Sequence, residues 1–403
     1  MARAVHAPPT VASAAIGADA PLASIVLISL GVAFHISGSL LLLAGAPPLA
    51  SLHAFAAFIV LAAVAATHQL LPVLLGVAPV PWRLTLGTGL GFASGFVMLV
   101  AGFFGAPTFL CAALLLVLTA TVWFTAVLTR VAVARMERFT AAVIGIAVFA
   151  FGVAAWLGGT MAYDFSRALG FSARLAGVHG SLMLLLFASL LIVTLSYRFV
   201  PMFALSHANA YGRRGLLLVV IAALLAAVLL PDRRPGLAAT AVAFAILGYQ
   251  HLQTLHSRIR AKLDMSLTYA ATAWILAFAA AMSAAIVDVT NATASALIAL
   301  TVLGWLSITI FGYGMKIVGF LAWQFARAQT SSTALSPLCD AIPPVLASSA
   351  LAALALGALG VAASKIAGLE VLSGSSTLLY AAGSVLYGAT LVRIAFPYLR
   401  TTV

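Results

Sequence analysis

Apolar residues in this chain gather into long uninterrupted runs. Twelve are read, at 22–45, 51–78, 84–104, 107–133, 139–159, 175–203, 214–231, 237–255, 266–290, 293–325, 342–363 and 375–398. A helix that crosses a bilayer needs about 20 predominantly apolar residues. The stretches between runs, such as GVAPVPW and SSTALSPLCDAIPP, are short and read as turns. No stretch remains for a soluble catalytic domain. The pattern predicts an all-α polytopic membrane bundle of about twelve transmembrane helices.

Three of the runs close alike, on LLPVLL, SYRFVPMF and GMKIVGFL. Aligned on Pro72, Pro201 and Gly319, they place His68, Tyr197 and Met315 in one column and Gln69, Arg198 and Lys316 in the next. Ser189 then matches Ser307. The runs concerned are the second, sixth and tenth. This predicts one membrane domain of three pseudo-symmetric four-helix units, roughly 22–133, 139–255 and 266–398, with sites expected where repeats meet. Arg198 and Lys316, about one turn from their helix ends, are expected to snorkel toward headgroups, and Pro201 to end or kink its helix. Gly87, Gly91 and Gly95 share a face of the third helix and predict close approach of a neighbour.

Composition agrees with a lipid solvent: 64% of the 403 residues are apolar and 7% charged, against about 25% charged in soluble domains. The formal charge of +12 is a matter of topology. With the N-terminus in the cytoplasm, about 15 Lys and Arg fall inside and about 5 outside, as the positive-inside rule requires. This sets aside nucleic acid as a partner and points to a multi-pass protein of a bacterial inner membrane. Residues 1–20 lack the basic start and apolar core of a cleaved signal peptide.

All eight acids sit at predicted helix ends or loops. Ion-coupled carriers hold their ion on a mid-membrane carboxylate, so an ion-coupled carrier and a carboxylate-relay proton pump are disfavoured. The ionisable groups left inside are histidines: His35 in the first helix, His53 and His68 in the second, His179 in the sixth. His53 and His179 begin repeat-mate helices, at a matched depth of about 5–10 Å below the outer interface. With the closing motifs aligned, His179 falls one turn from His53, so both rings are expected to face the bundle centre. Imidazoles projecting inward from facing helices are how bundles hold metals and haem. His53 and His179 are the candidate ligands, with His35 as a third ligand or a propionate donor; the alternative for each is a histidine hydrogen-bonded to a backbone carbonyl or to water. His68 lies about 22 Å deeper than His53 and cannot share one iron with it.

His251 and His256 lie beside Arg258, Arg260 and Lys262 and read as a solvated basic end; His6 and His207 receive no role. The scattered methionines read as core filler, and Cys111 and Cys339, outside any CxxC spacing, as small apolar fillers.

The segment HGSLMLLLFASLLIVTLSYRFVPMFALSH, His179 to His207, resembles membrane proteins related to haem-copper oxidase subunit I, a group that includes the NnrS-type proteins of the nitric-oxide response. LGWLSITIFGYGMKIVGFLAW, Leu303 to Trp323, is similar to the tenth-helix version. The resemblance implies twelve helices in three pseudo-symmetric fours, with His53 at the haem-ligand position of the second helix and His179 nearest to the copper ligand of the sixth. The chain departs from the oxidases in having no histidine in 293–325 or 214–231, and in lacking the tyrosine-linked sixth-helix motif. The resemblance therefore implies one b-type haem or one copper ion and no complete oxidase.

Three functions follow as expectations: a haem- or metal-binding protein handling electrons or a small gas such as nitric oxide, with respiratory-chain proteins as partners; a carrier or channel for a small solute or copper, its path lined by Tyr197, His68 and Trp305; or a cofactor-free assembly partner of a respiratory complex.

Overall fold

The computed structural model describes residues 19–134, 137–206, 213–230, 232–259, 263–287, 290–329 and 342–400. His6, His207 and Cys339 lie outside them. Among the described residues the chain forms twelve helices and no strand. They are α1 (Asp19–Leu43), α2 (Pro48–Leu75), α3 (Trp82–Phe103), α4 (Phe109–Ala132), α5 (Arg138–Arg167) and α6 (Ser172–Ala204). The second half comprises α7 (Arg213–Leu229), α8 (Arg234–His256), α9 (Met265–Ile286), α10 (Asn291–Arg327), α11 (Pro344–Ala367) and α12 (Glu370–Arg400).

Each apolar run of the sequence becomes one helix. Ten are long and apolar enough to cross a membrane, and α7 carries a shorter apolar stretch, Arg214–Leu229. Large apolar side chains cover the outside, among them Leu114, Leu118 and Val122 on one flank of α4. Such a surface is costly in water and neutral against acyl chains. The chain is a multi-span integral membrane protein.

Successive helices pack as antiparallel neighbours, and α12 returns to pack against α1, so the bundle closes on itself. α10 touches both α2 and α6. The three helices singled out by their closing motifs thus approach one another in the interior. Two of the three glycines of α3 face α4: a Cβ at Gly91 would meet Thr119 and one at Gly95 would meet Leu116, while Gly87 faces open space.

The closing motifs do specific work. α2 and α6 each end within a turn of their proline, Pro72 and Pro201. Arg198 and Lys316 do not simply snorkel to headgroups. Arg198 pairs with Glu137, the residue that caps the N-terminus of α5. Lys316 pairs with Asp264, which caps α9 and also accepts the Ser266 N–H at 3.0 Å. An ammonium only 8% exposed must find its counter-charge inside the protein. A carboxylate at a helix N-terminus, already favoured there by the helix dipole, is a suitable one.

α6 and α10 share a further irregularity. Each contains a stretch of π-helix, Leu182–Ser189 and Leu300–Leu306. The register that pairs Pro201 with Gly319 pairs Ser189 with Ser307. Each of these serines donates to a carbonyl five residues back, Ser189 to Leu184 at 2.7 Å and Ser307 to Val302 at 2.7 Å. Trp305 donates its indole N–H to Ser189 at 3.0 Å and ties the two widened segments together.

Two outcomes follow. Gly236 lies against the backbone of α7, where an added Cβ would come within 2.2 Å of Ala227 N. Gly236→Ala should cost about 1–3 kcal/mol by forcing the helices apart, whereas Gly248→Ala on the same helix, facing open space, should leave the melting temperature in detergent unchanged. Lys316→Met, which strands a buried Asp264, should cost about 3–5 kcal/mol. Arg198→Met breaks a pair whose side chains are 31% and 38% exposed and should cost about 1 kcal/mol or less. Thermal melts of the two variants side by side check this order.

Candidate cofactor site

The paired histidines come together. His53, early in α2, and His179, in the second turn of α6, line one cavity of about 310 Å³ near the ends of these helices remote from Arg198 and Lys316. The walls are apolar, mostly aliphatic and small residues, with Phe92, Phe96, Phe103, Phe151, Phe165 and Phe187 among them. α10 contributes Ile298 and Val302.

Each ring is held by one nitrogen. His53 Nδ1 bonds the Leu49 carbonyl oxygen at 2.7 Å, one turn back in its own helix. His179 Nδ1 bonds the Ala154 carbonyl oxygen of α5 at 2.9 Å. A carbonyl oxygen can only accept, so in both neutral rings the proton sits on Nδ1 and Nε2 keeps its lone pair. This is the arrangement that a ligating imidazole has when its other nitrogen is anchored by a backbone carbonyl. The carbonyl-bonded histidine and the ligand histidine, open alternatives in the sequence, are here compatible with one another.

The hollow follows from the sequence of α5. Gly158 removes a side chain where His179 of α6 leans in, and Gly159 removes one where Val117 of α4 does. A Cβ at 158 would stand 3.1 Å from His179 Cε1, and one at 159 would stand 2.9 Å from Val117. Neither glycine was singled out by spacing or charge; the adjacent pair inside an apolar run is the signal that would have found them.

The other expected residues lie elsewhere. His35 does not join the pair. It is fully buried among Phe55, Phe58 and Phe311, with ring centroids 4.6–5.0 Å away. Its Nε2 bonds the Tyr380 hydroxyl at 3.0 Å, whose own proton goes to the Leu303 carbonyl at 3.1 Å. His35 is thus the donor in that bond, and it clasps α1 to α12. This takes it out of the ligand set and away from any propionate. His68 bonds Thr85 of α3 at 3.1 Å. Tyr197 donates to Gln250 of α8 at 3.3 Å. Trp305 is committed to Ser189. His68, Tyr197 and Trp305 therefore bond to three different neighbours. Pro201, Arg198 and Lys316 belong to the helix-closing machinery. His251 is buried at 7% exposure against Trp274, and is no solvated basic end.

Among the described residues no group of three or more His, Cys, Asp or Glu side chains could hold a metal ion. A copper or zinc ion held by protein alone takes three or four donors, and this cavity offers two. A porphyrin brings four nitrogens of its own and asks the protein for one or two axial imidazoles and an apolar slot. The donor set and the apolar walls fit haem better than a bare ion.

No protein-family model and no curated protein matches the chain.

The histidines divide into two kinds by what their removal does to the fold. His53→Ala and His179→Ala each delete one bond beside a cavity and should cost about 1 kcal/mol. His35→Ala empties a fully packed site and leaves the Tyr380 hydroxyl without its donor, and should cost about 2–5 kcal/mol. Melting temperatures of the three variants, each stripped of any bound cofactor, test the division.

Proposed function

We propose that this chain is a haem-binding protein of the oxidase-like architecture that handles electrons within the membrane. The observation that carries the reading is the pair of imidazoles, from α2 and α6, each anchored through Nδ1 and each lining one apolar cavity. His53 and His179 are the residues that would hold the iron, through the Nε2 lone pairs left free by their carbonyl bonds. The phenylalanines of the lining take the faces of the macrocycle. Arg167, two residues beyond the cavity-lining Phe165, and Arg174, five before His179, are the cations available to the propionates at the rim. Bound by two imidazoles, an iron porphyrin supplies one-electron exchange. The protein's own part is to fix the orientations of the two imidazoles through their carbonyl bonds and to keep water out with an apolar lining. With the face carrying Arg130, Arg198 and Lys316 in the cytoplasm of a bacterial cell, the site lies on the periplasmic side, where respiratory-chain proteins are the natural electron partners.

A small-gas role is the second reading. The cavity shares Ile59, Phe187 and Ala188 with a smaller apolar chamber of about 70 Å³ between α2, α6 and α10. A diatomic such as nitric oxide is small and apolar enough to occupy it.

Purified protein from a haem-replete host should show a Soret band with the sharp α band of low-spin haem. His53→Ala and His179→Ala should each abolish that low-spin spectrum while the melting temperature holds, and His35→Phe should keep it. A colourless, metal-free wild type would remove the cofactor reading and leave the assembly-partner role. Carbon monoxide added to the reduced protein separates the two haem readings: an unmoved Soret band supports the electron role, a shifted one the gas role.

A further inference from the structure

We propose that the notch between α6 and the α7–α8 turn binds the phosphate of a membrane phospholipid, in the leaflet on the side of His53 and His179. It goes beyond the haem reading and does not depend on it.

The placement of charge raises the question. The face remote from Arg198 and Lys316 carries five Lys and Arg residues. Four of them, Arg167, Arg174, Arg233 and Arg234, belong to the α5–α6 and α7–α8 turns or to the helix ends beside them. The positive-inside rule keeps such turns poor in cations, so this concentration needs a local reason.

Helix lengths point to one. α7 has 17 residues and spans about 25 Å, less than the roughly 30 Å of a hydrocarbon core. Arg214 in its first turn holds the inner end at headgroup level. The outer end therefore stops short of the headgroups, on Leu229 and Leu230, which are 73% and 44% exposed. Arg233 and Arg234 follow within four residues. α6 reaches further: from Ser181, beside Arg233, it extends outward to Ser172, about another 13 Å. The α7–α8 turn is a low step against a taller wall.

The notch at that step is built from specific groups. Arg233 donates from Nη1 to Ser181 Oγ at 3.1 Å, and Ser181 donates to the Gly177 carbonyl at 2.7 Å. Arg233 Nη2 lies over Gly177, 3.7 Å from where a Cβ would stand. Among the described residues no carboxylate pairs with Arg233. Asp232 accepts the Arg234 N–H at 3.0 Å. Arg174 stands on the same face of α6 as Ser181, two turns nearer the water, and adds its charge to the field around the notch. A cation close to hydrocarbon is costly unless an anion meets it or the bilayer thins around it. The planar fork of a guanidinium matches two phosphate oxygens.

The occupant must carry an anion directly above acyl chains. A phospholipid does so, with its phosphate on Arg233 and its tails over Leu229 and Leu230. Inorganic phosphate would have to reach a step sunk beneath the headgroups. An acidic protein would meet Arg167 and Arg174 first, at the tip of the taller hairpin. Ser181 follows His179 by two residues, so the bound headgroup braces the helix that carries that imidazole.

The test titrates full-length protein, delipidated in detergent, with dioleoylphosphatidylglycerol. Native mass spectrometry counts the bound lipid, and a thermal melt follows its effect. Wild type should retain more lipid than Arg233→Gln, whose affinity at this site should fall about tenfold, and should gain several degrees more in melting temperature. Ser181→Ala, which removes the strut and keeps the guanidinium, should bind as wild type does, and so should Lys365→Gln, at a different turn. Equal lipid retention by Arg233→Gln overturns the site. A loss in Ser181→Ala that matches Arg233→Gln makes Arg233 a strut alone and also overturns it. Equal occupancy by dioleoylglycerol, which has the tails and no phosphate, overturns the phosphate contact. Equal stabilisation by inorganic phosphate overturns the lipid in favour of a free anion, and displacement of the lipid by polyglutamate overturns it in favour of an acidic protein. None of these readouts needs haem, so failure here and failure at His53 and His179 are separate results.

Discussion

A polar side chain inside hydrocarbon has no water to turn to, so its partner must come from the protein or from something the protein binds. The histidines of this bundle are sorted by that constraint. Each has two ring nitrogens and only one obvious mate. His35 spends Nε2 on Tyr380 and is closed in by aromatic rings, so nothing else can reach it. His68 gives Nδ1 to Thr85 in a closely packed corner of α2 and α3. His53 and His179 give Nδ1 to carbonyls and turn toward a cavity large enough for a ligand. The difference between a structural histidine and a candidate ligand lies here in the space beside the second nitrogen.

The same constraint explains the closing motifs. A basic residue one turn from a helix end can reach water only if nothing packs over it, and α10 is packed on several sides. Lys316 is met by Asp264 and Arg198 by Glu137, and each acid sits at the N-cap of the helix that opens its four-helix unit. At Asp264 one acid therefore serves both a buried cation and a helix N-terminus. The π stretches of α6 and α10 stand in matching register and are joined by the bond from Trp305 to Ser189. Matching irregularities, each costly alone, are a stronger sign of internal relationship than matching apolar residues, which any membrane helix supplies.

The helices were fully legible, because twenty apolar residues in a row admit few other readings. The repeat alignment set His53 and His179 at one depth, and both do line one cavity. The fate of His35 was not legible: depth along a helix can be read from sequence, but rotation about its axis is set by packing partners, here Tyr380 from the far end of the chain. His251 was misjudged for a related reason. Arg258 and Lys262 suggested a wet helix end, yet the bulk of Trp274 on another helix buries the ring. The acids at Glu137 and Asp264 were seen as loop residues, and only the folded geometry brings them to Arg198 and Lys316.

The unequal contributions of the three units bear on what the cavity is for. In the register that sets Ser189 on Ser307, His179 falls on Leu297, and the neighbouring Ile298 presents an apolar wall to the cavity. Two units offer an imidazole and the third offers hydrocarbon. A metal ion bound by protein donors alone would be poorly served by that division, since the missing third ligand is what completes its shell. A planar cofactor that carries its own equatorial donors needs two axial groups and a dry edge. On the proposed haem reading, the apolar face that α10 turns to the cavity is the dry edge such a guest needs.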